Sequence, residues 1–343
     1  MPANLPPANH PPERLDAFMA RANAIYYATQ DPFADFTTAP EISQMFGEIL
    51  GLWAAVTWQL LGAPTPVSLA EAGPGRGTLM ADALRAVRRT APDFAAALRV
   101  HLIETSPRLK AAQAAQVPGA AWHDDLATLP AQPTILLANE FLDALPIRQF
   151  VRRGSRWTER FVAAGQWVEQ PVEPGLAPSL VPQGRAAAEG DIVELNESAR
   201  RFVATFSQRA ALNPAVALLL DYGPERSAAG DSLQALARKR PTDPLRAAGS
   251  ADLTAHVDFA DLTGVARDRG AAVQGPVPQG EFLTALGLFR RAERLARDHP
   301  GDDLAAPVAA ARRLADPDAM GHLFKAMAIA SPGCPPLPGF PPP

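Results

Sequence analysis

From residue 67 onward the chain alternates short, continuously apolar runs with stretches whose apolar residues recur at helical spacing. Val67–Ala72 reads VSLAEA and ends in a glycine loop, which predicts a strand. Thr78–Arg89 follows with Leu79, Ala83 and Val87 on one helical face, and Pro92 ends it. The same alternation predicts strands at Arg99–Glu104, Ala120–His123, Thr134–Asn139 and Pro214–Tyr222, with a helix over Pro107–Gln116. Strands that read as unbroken apolar runs between helices predict a parallel sheet covered on both faces. Between the fourth and fifth strands, Ile147–Val151, Arg156–Ala163 and Gln166–Glu169 predict a small antiparallel meander turning at residues 163–165. Before the first strand, Pro12–Thr29 and Pro40–Leu61 have the pattern of amphipathic helices. The expected fold class is α/β, a doubly wound sheet over 67–330 with an insertion at about 147–190. A helical extension over 13–66 precedes it, and proline-rich, poorly ordered tails are expected at 1–12 and 331–343.

Composition narrows the classes of function. The 343 residues are 47% apolar and 20% charged, a globular balance long enough for a large core. A net charge of -4 argues against nucleic acid as the main partner. One cysteine excludes a disulfide framework and any cysteine-cluster zinc site, and the six histidines lack metal-ligand spacing, so no metal is expected. The 36 prolines crowd both ends and residues 171–182. No basic start followed by an apolar run marks a secretion signal. The longest aliphatic run, Ala215–Leu220, is far too short to span a bilayer. Arginine outnumbers lysine 29 to 3, which fits a GC-rich coding sequence.

The glycine loop carries the first chemistry. Glu71-Ala-Gly73-Pro-Gly75-Arg-Gly77-Thr78 stands at a strand-to-helix turn, where glycine lets backbone approach a ligand and a helix N-terminus offers unpaired N–H groups to an anion. The dinucleotide fingerprint G-x-G-x-x-G does not fit, because the third glycine comes one residue early. A phosphate loop would end in Gly-Lys-Ser/Thr, which is absent. The glutamate would repel a pyrophosphate but suits a ligand that also carries cationic groups. Glu104 ends the second strand, where a carboxylate accepts two ribose hydroxyls, and Asp124 and Asp125 follow the third, where an acid can accept from an adenine amino group.

Together these residues resemble motif I and its acidic partners in class I methyltransferases. The stretches DFTTAPEISQMFGEILGLW (35–53), EAGPGRGTLMADALRA (71–86), ANEFLDALPIRQF (138–150), LLLDYG (218–223), DLTAHVDF (252–259) and MGHLFKAMAI (320–329) resemble one family specifically. It is the MidA/NDUFAF7-type (DUF185) group of class I S-adenosylmethionine-dependent protein arginine methyltransferases. The resemblance implies a Rossmann-like sheet, S-adenosyl-L-methionine as cofactor, and a protein substrate. It further implies methylation of an arginine in a respiratory complex I subunit, in support of assembly. The expected location is the bacterial cytoplasm. Two departures stand out. The loop before Asp35 is shorter than in the family, which bears on closure over the donor, and 231–249 lacks an expected histidine.

Methyl transfer needs a nucleophile held in line with a sulfonium methyl. Guanidinium is planar, delocalised and always protonated, so carboxylates must bind it and take up its proton. Glu140 and Asp143 in NEFLDALP follow the fourth strand, and their spacing puts both on one face if a helical turn starts there. Glu140 is the expected substrate carboxylate with Asp143 second, and Asn139 is expected to touch the donor's amino group. Thr37, Thr38 and Glu41 open a helix as a capping box with Pro40 inside the first turn, or form a lid over the donor. Asp221, His256 and Asp258 are substrate-side candidates, and Asp252 and His256 could pair across a helical turn. The string Gly230-Asp231-Ser232-Leu233 imitates a hydrolase motif, but it lies past the fifth strand without a matching D-x-x-H or a G-x-S-x-G elbow. Two alternatives stay open: a donor-binding assembly factor with weak or no catalysis, and a small-molecule methyltransferase of the same fold.

Overall fold

The computed structural model describes residues 11–30, 37–172, 176, 187–246, 248–298 and 305–341. The first ten residues of the N-terminal tail, the shortened loop up to Phe36 and most of the proline cluster at 171–182 lie outside the described residues. The chain divides into two compact units. One comprises 37–142, 202–225 and 262–343, the other 1–36, 143–201 and 226–261.

The larger unit is built on a seven-stranded sheet. Its strands are β1 (Val67–Ala72), β2 (Leu98–Ile103), β3 (Ala121–His123), β4 (Thr134–Asn139), β5 (Ala215–Tyr222), β6 (Ala272–Pro278) and β7 (Phe324–Ala330), in the order β3-β2-β1-β4-β5-β7-β6. β1 to β5 run parallel, and β7 runs antiparallel to both β5 and β6. Every residue of β1 and β4 is buried, as central parallel strands require. The chain moves outward from β1 to β3 and then returns to β4 on the other side. The carboxyl ends of β1 and β4 therefore flank the switch point, where open α/β sheets bind ligands.

Four helices of this unit matter for the site: α1 (Ala39–Ile42), α2 (Gln44–Leu60), α3 (Thr78–Thr90) and α4 (Pro107–Gln116). The single helix expected over Pro40–Leu61 is two. Ser43 is extended at φ -162°, and its hydroxyl accepts the Met45 N–H at 3.2 Å to start α2. No helix among the described residues is long and apolar enough to cross a membrane.

Two strands of this sheet went unpredicted. β7 reads FKAMAIA, where alanines and Lys325 mask a fully buried strand. β6 contains Gly275-Pro276, and its pairing shifts between Gln274 and Val277, which an edge strand tolerates. The expected disordered tail from 331 is ordered through 341. Leu337 and Phe340 are buried in the core, the Phe340 ring packs tilted against Phe282 with centroids 5.2 Å apart, and Trp53 Nε1 donates to the Pro338 carbonyl at 3.1 Å. Proline richness here lowers the entropy lost on ordering, and two apolar side chains supply the burial.

In the smaller unit, Arg148–Arg153, Arg156–Ala163 and Gln166–Pro171 form the meander, joined by Ile192–Leu195 and Glu13–Arg14. Helix Leu15–Thr29 buries Leu15, Phe18, Met19 and Ala22 in a cluster with Ile147, Val162 and Leu253. The expected 13–66 extension is thus divided. Its first helix belongs with the inserted meander, while the segment from Thr37 belongs with the sheet. Residues 226–261 also join the inserted unit, which is larger than the expected 147–190.

Candidate active site

The glycine loop leaves β1 through three residues in the left-handed region, Gly73 at φ 64°, Gly75 at φ 53° and Gly77 at φ 86°. Only glycine enters that region without strain. A Cβ on Gly73 would lie 2.7 Å from Cδ2 of Phe141, so the ring of the residue after Glu140 is pressed against the loop. Gly77 precedes α3, whose own first turn carries no acidic residue; the Met80 N–H there is taken by Glu71, which leaves the N–H groups before it as the helix's anion-facing end. Thr78 Oγ1 donates to Glu41 Oε1 at 2.6 Å and so ties α3 to α1.

Glu71 lies inside β1, 3% exposed. Burial pushes its carboxyl up to about 8, opposed by one hydrogen bond from the Met80 backbone N–H. Its Oε2 is buried without a hydrogen-bond partner. A buried carboxyl beside a glycine cradle is costly alone and stabilised by a bound cation. Asn139, at the end of β4, has its amide oxygen in the same condition. These two orphaned acceptors, the glycine turn and the start of α3 fit a ligand bearing a carboxylate together with cationic groups.

Glu104 follows β2. Its Oε1 accepts the Ser106 N–H at 2.8 Å and its Oε2 accepts Gln113 Nε2 at 3.2 Å. Burial raises its carboxyl above the ordinary range, and these hydrogen bonds oppose the rise. The two acids after β3 separate. Asp124 is exposed and paired with Lys110 Nζ at 2.6 Å. Asp125 accepts the Ala127 N–H at 2.7 Å and caps the short 3₁₀ turn Leu126–Thr128.

Glu140 stands directly after β4 at φ 48°. That conformation starts no helical turn, so the expected common face for Glu140 and Asp143 does not form. Its Oε1 accepts the Ala39 N–H at 2.8 Å and Asn139 Nδ2 at 3.2 Å, and both bonds fall on the one oxygen. Burial pushes the carboxyl up to about 7; the Ala39 hydrogen bond opposes this, and the charge of Asp221 adds to it. Asp221 itself, 1% exposed, spends Oδ2 on the N–H groups of Phe141 and Leu142, at 3.1 and 2.8 Å. It holds the turn after Glu140 rather than facing a substrate.

The capping box expected at Thr38 also gives way. Thr38 is the N-cap of α1 but makes no side-chain cap: the Glu41 N–H donates to the Thr38 carbonyl at 3.0 Å, and the Glu140 carboxylate accepts the Ala39 N–H instead. Thr37 and Thr38 lead into α1, Thr38 with extended backbone.

The remaining candidates lie in the other unit. Asp143 is buried and its carbonyl accepts the Ala255 N–H at 2.9 Å; burial first, then the charges of Asp252 and Asp143, raise the Tyr27 hydroxyl well above its ordinary value. Asp252 belongs to the strand Asp252–Thr254, not a helix, and accepts the Tyr27 hydroxyl at 2.9 Å; no helical turn aligns it with His256. His256 Nε2 lies 3.3 Å from the Gln234 amide nitrogen, and burial lowers its pKa. Asp258 accepts the Asp261 N–H at 2.9 Å at the start of helix Phe259–Asp268. In the hydrolase-like string, the Ser232 hydroxyl is bonded to the Glu194 carboxylate.

Sequence reasoning missed Phe141, Gln113 and the tie between Glu41 and Thr78. Trp122 and Gln113 carried no motif, and nothing in their spacing marks the contact that joins them.

The chain matches the sequence profile of a family of S-adenosyl-L-methionine-dependent methyltransferases over residues 49–277. It is 32% identical over 359 residues to the protein arginine methyltransferase NDUFAF7 homologue, mitochondrial, of Drosophila melanogaster, covering 92% of this chain and 80% of that one. It is 34% identical over 294 residues to the protein arginine methyltransferase NDUFAF7, mitochondrial, of Homo sapiens, covering 77% and 66% respectively. Among solved structures, a Burkholderia thailandensis protein bound to S-adenosyl-homocysteine superposes with a TM-score of 0.78 at 26% identity, covering 95% of this chain and 89% of that one.

Proposed function

The chain belongs to this family of S-adenosyl-L-methionine-dependent methyltransferases, and we propose that it transfers the donor's methyl group to an arginine side chain of a protein partner. Its relatives are named as protein arginine methyltransferases. The observation that carries the arginine reading is Glu140. It is a half-buried carboxyl at the switch point, next to the residue whose ring abuts Gly73, with both of its hydrogen bonds on one oxygen.

The bound donor supplies an electrophilic methyl group on a positively charged sulfur. The chain supplies the rest. Gly73, Gly75 and Gly77 admit the donor's methionine end to the N-terminus of α3. Glu104 accepts the ribose hydroxyls, and Glu71 offsets the donor's positive charge. Glu140 binds the guanidinium through Oε2, draws positive charge away from the attacking nitrogen and takes its proton as transfer completes. A carboxyl poised near 7 is matched to that exchange.

The resemblance to the family further supports a respiratory complex I subunit as the partner. The test compares methylated arginines, by mass spectrometry, between a strain with the gene and one without it. Loss of one methylarginine, restored by the wild-type chain and not by Glu140→Gln, is expected. Incorporation of label from the donor into small molecules alone would overturn the protein-substrate reading.

A further inference from the structure

We propose that Gln113 is a positioning residue for the methyl donor, tying the glycine loop and the Glu104 carboxylate to one buried amide. The proposal rests on the reading of that loop and of Glu104 as the donor site.

Gln113 projects from α4 and is fully buried. Its Oε1 accepts the indole Nε1–H of Trp122 at 2.8 Å. An indole nitrogen can only donate, so this contact fixes which end of the amide is oxygen. Nε2 then presents two N–H groups, and both have acceptors: the Gly75 carbonyl at 2.8 Å and Glu104 Oε2 at 3.2 Å. One side chain therefore joins three points. They are the loop after β1, the carboxylate after β2 and the indole of β3.

Gln113 also packs against the third glycine. A Cβ on Gly77 would lie 3.6 Å from both Cα and Cγ of Gln113 and 3.3 Å from the neighbouring Val117. The start of α4's last turn thus supports the loop by contact as well as by hydrogen bonding.

The chemistry of the position is demanding. It must accept from a donor-only group and donate to two acceptors, one of them a carboxylate held in a buried place. An amide does this with both of its N–H groups used. A carboxylate would accept from Trp122 but face Glu104 and a carbonyl without a proton to offer. An aliphatic side chain would leave three partly buried polar groups without this partner. The amide N–H also favours the charged form of Glu104, which burial otherwise opposes. Two halves of the donor, methionine and ribose, are thereby held in register by one group that touches neither.

The test is calorimetric titration of the full chain with S-adenosylhomocysteine between about pH 5 and pH 8, a span that lies above the ordinary carboxyl range. Gln113→Glu is expected to bind roughly ten- to a hundredfold more weakly than wild type at the upper end, the size of effect expected for buried groups left unpaired. Its affinity should return toward wild type as the pH falls, because the introduced carboxyl then gains a proton to donate. A purely structural role would lower the melting temperature without producing that recovery. Unchanged affinity, or a loss that does not vary with pH, would overturn the proposal.

If Gln113→Glu fails to fold, Trp122→Phe serves instead. It releases the oxygen end of the amide, and a several-fold loss of affinity is expected; wild-type affinity in that variant would count against the proposal. Glu104→Gln is the control for the underlying reading. If it weakens binding and Gln113→Glu does not, Gln113 alone is dismissed. If neither weakens binding, the donor-site reading falls with it.

Discussion

The carboxylate of Glu140 caps α1 by accepting the Ala39 N–H at 2.8 Å, across 101 residues of sequence. The contact gives the residue expected to receive the substrate a second task, holding the short helix that follows Thr37 and Thr38. An amide oxygen can still accept that N–H, so the two tasks separate by substitution. Glu140→Gln should retain donor affinity within about twofold and a nearly unchanged melting temperature, as expected where the cap hydrogen bond survives. Methyl transfer should fall by at least about a hundredfold, the scale of a lost general base. Radiolabel incorporation together with calorimetry checks both; transfer at wild-type rate would remove Glu140 from the chemistry.

The raised carboxyl of Glu140 sets the pH dependence of transfer. Binding a guanidinium requires the ionised form, and burial holds the carboxyl at about 7. Transfer at saturating donor should therefore rise as pH increases through about 7 and level off above it. A pH–rate profile flat from about 5.5 to 8.5, well above the ordinary carboxyl range, would contradict this assignment.

Asp221 acts one step further back, through the backbone. Its Oδ2 accepts the N–H groups of Phe141 and Leu142, which fixes the turn that carries Glu140. Asp221→Ala leaves two N–H groups without that acceptor and should cost about 2–4 kcal/mol of stability. Denaturant unfolding reads that loss. Asp221→Asn, which keeps one acceptor oxygen, should lose less than half as much.

Gly73 meets Phe141 from the other side. An alanine there would adopt φ 64° and set its Cβ 2.7 Å from the ring. Strain of about 1–2 kcal/mol comes from the backbone alone, and the clash adds to it. Donor affinity should drop in Gly73→Ala. Adding Phe141→Ala should relieve the clash but not the backbone strain, giving partial recovery in a double-mutant cycle.

What the sequence reveals and conceals follows from the range of the interactions. Val67–Ala72, Pro107–Gln116 and Thr134–Asn139 have the predicted bounds, because unbroken apolar runs and a proline at a helix start are local signals. The glycine loop is local too, since each glycine's φ is a property of its own turn. The caps were not. Thr38 and Glu41 spell a capping box, yet the carboxylate that follows β4 takes the Ala39 N–H and Glu41 turns to Thr78. β7 was hidden because its burial comes from lying between β5 and β6, which its alanines do not announce. Gln113 carries no motif because its partners come from three different strands' ends.

Glu71 supplies the last prediction. Its folded carboxyl sits at about 8, above its ordinary 4.5. Between those values the folded chain binds more protons than the unfolded chain at this site, so the site's contribution to stability falls as pH rises from about 4.5 to about 8. Glu140, raised to about 7, has the same sign over a narrower window. Glu71→Gln should therefore flatten the decline in unfolding free energy across that window. A donor with a positively charged sulfur reverses the balance, since its charge favours the ionised carboxylate. Uptake of S-adenosylmethionine near pH 7 should release part of a proton, read as a binding heat that changes with the ionisation enthalpy of the buffer. Glu71→Gln should abolish most of that dependence. Identical heats in all buffers for the wild-type chain would show that Glu71 stays protonated under the donor and does not offset its charge.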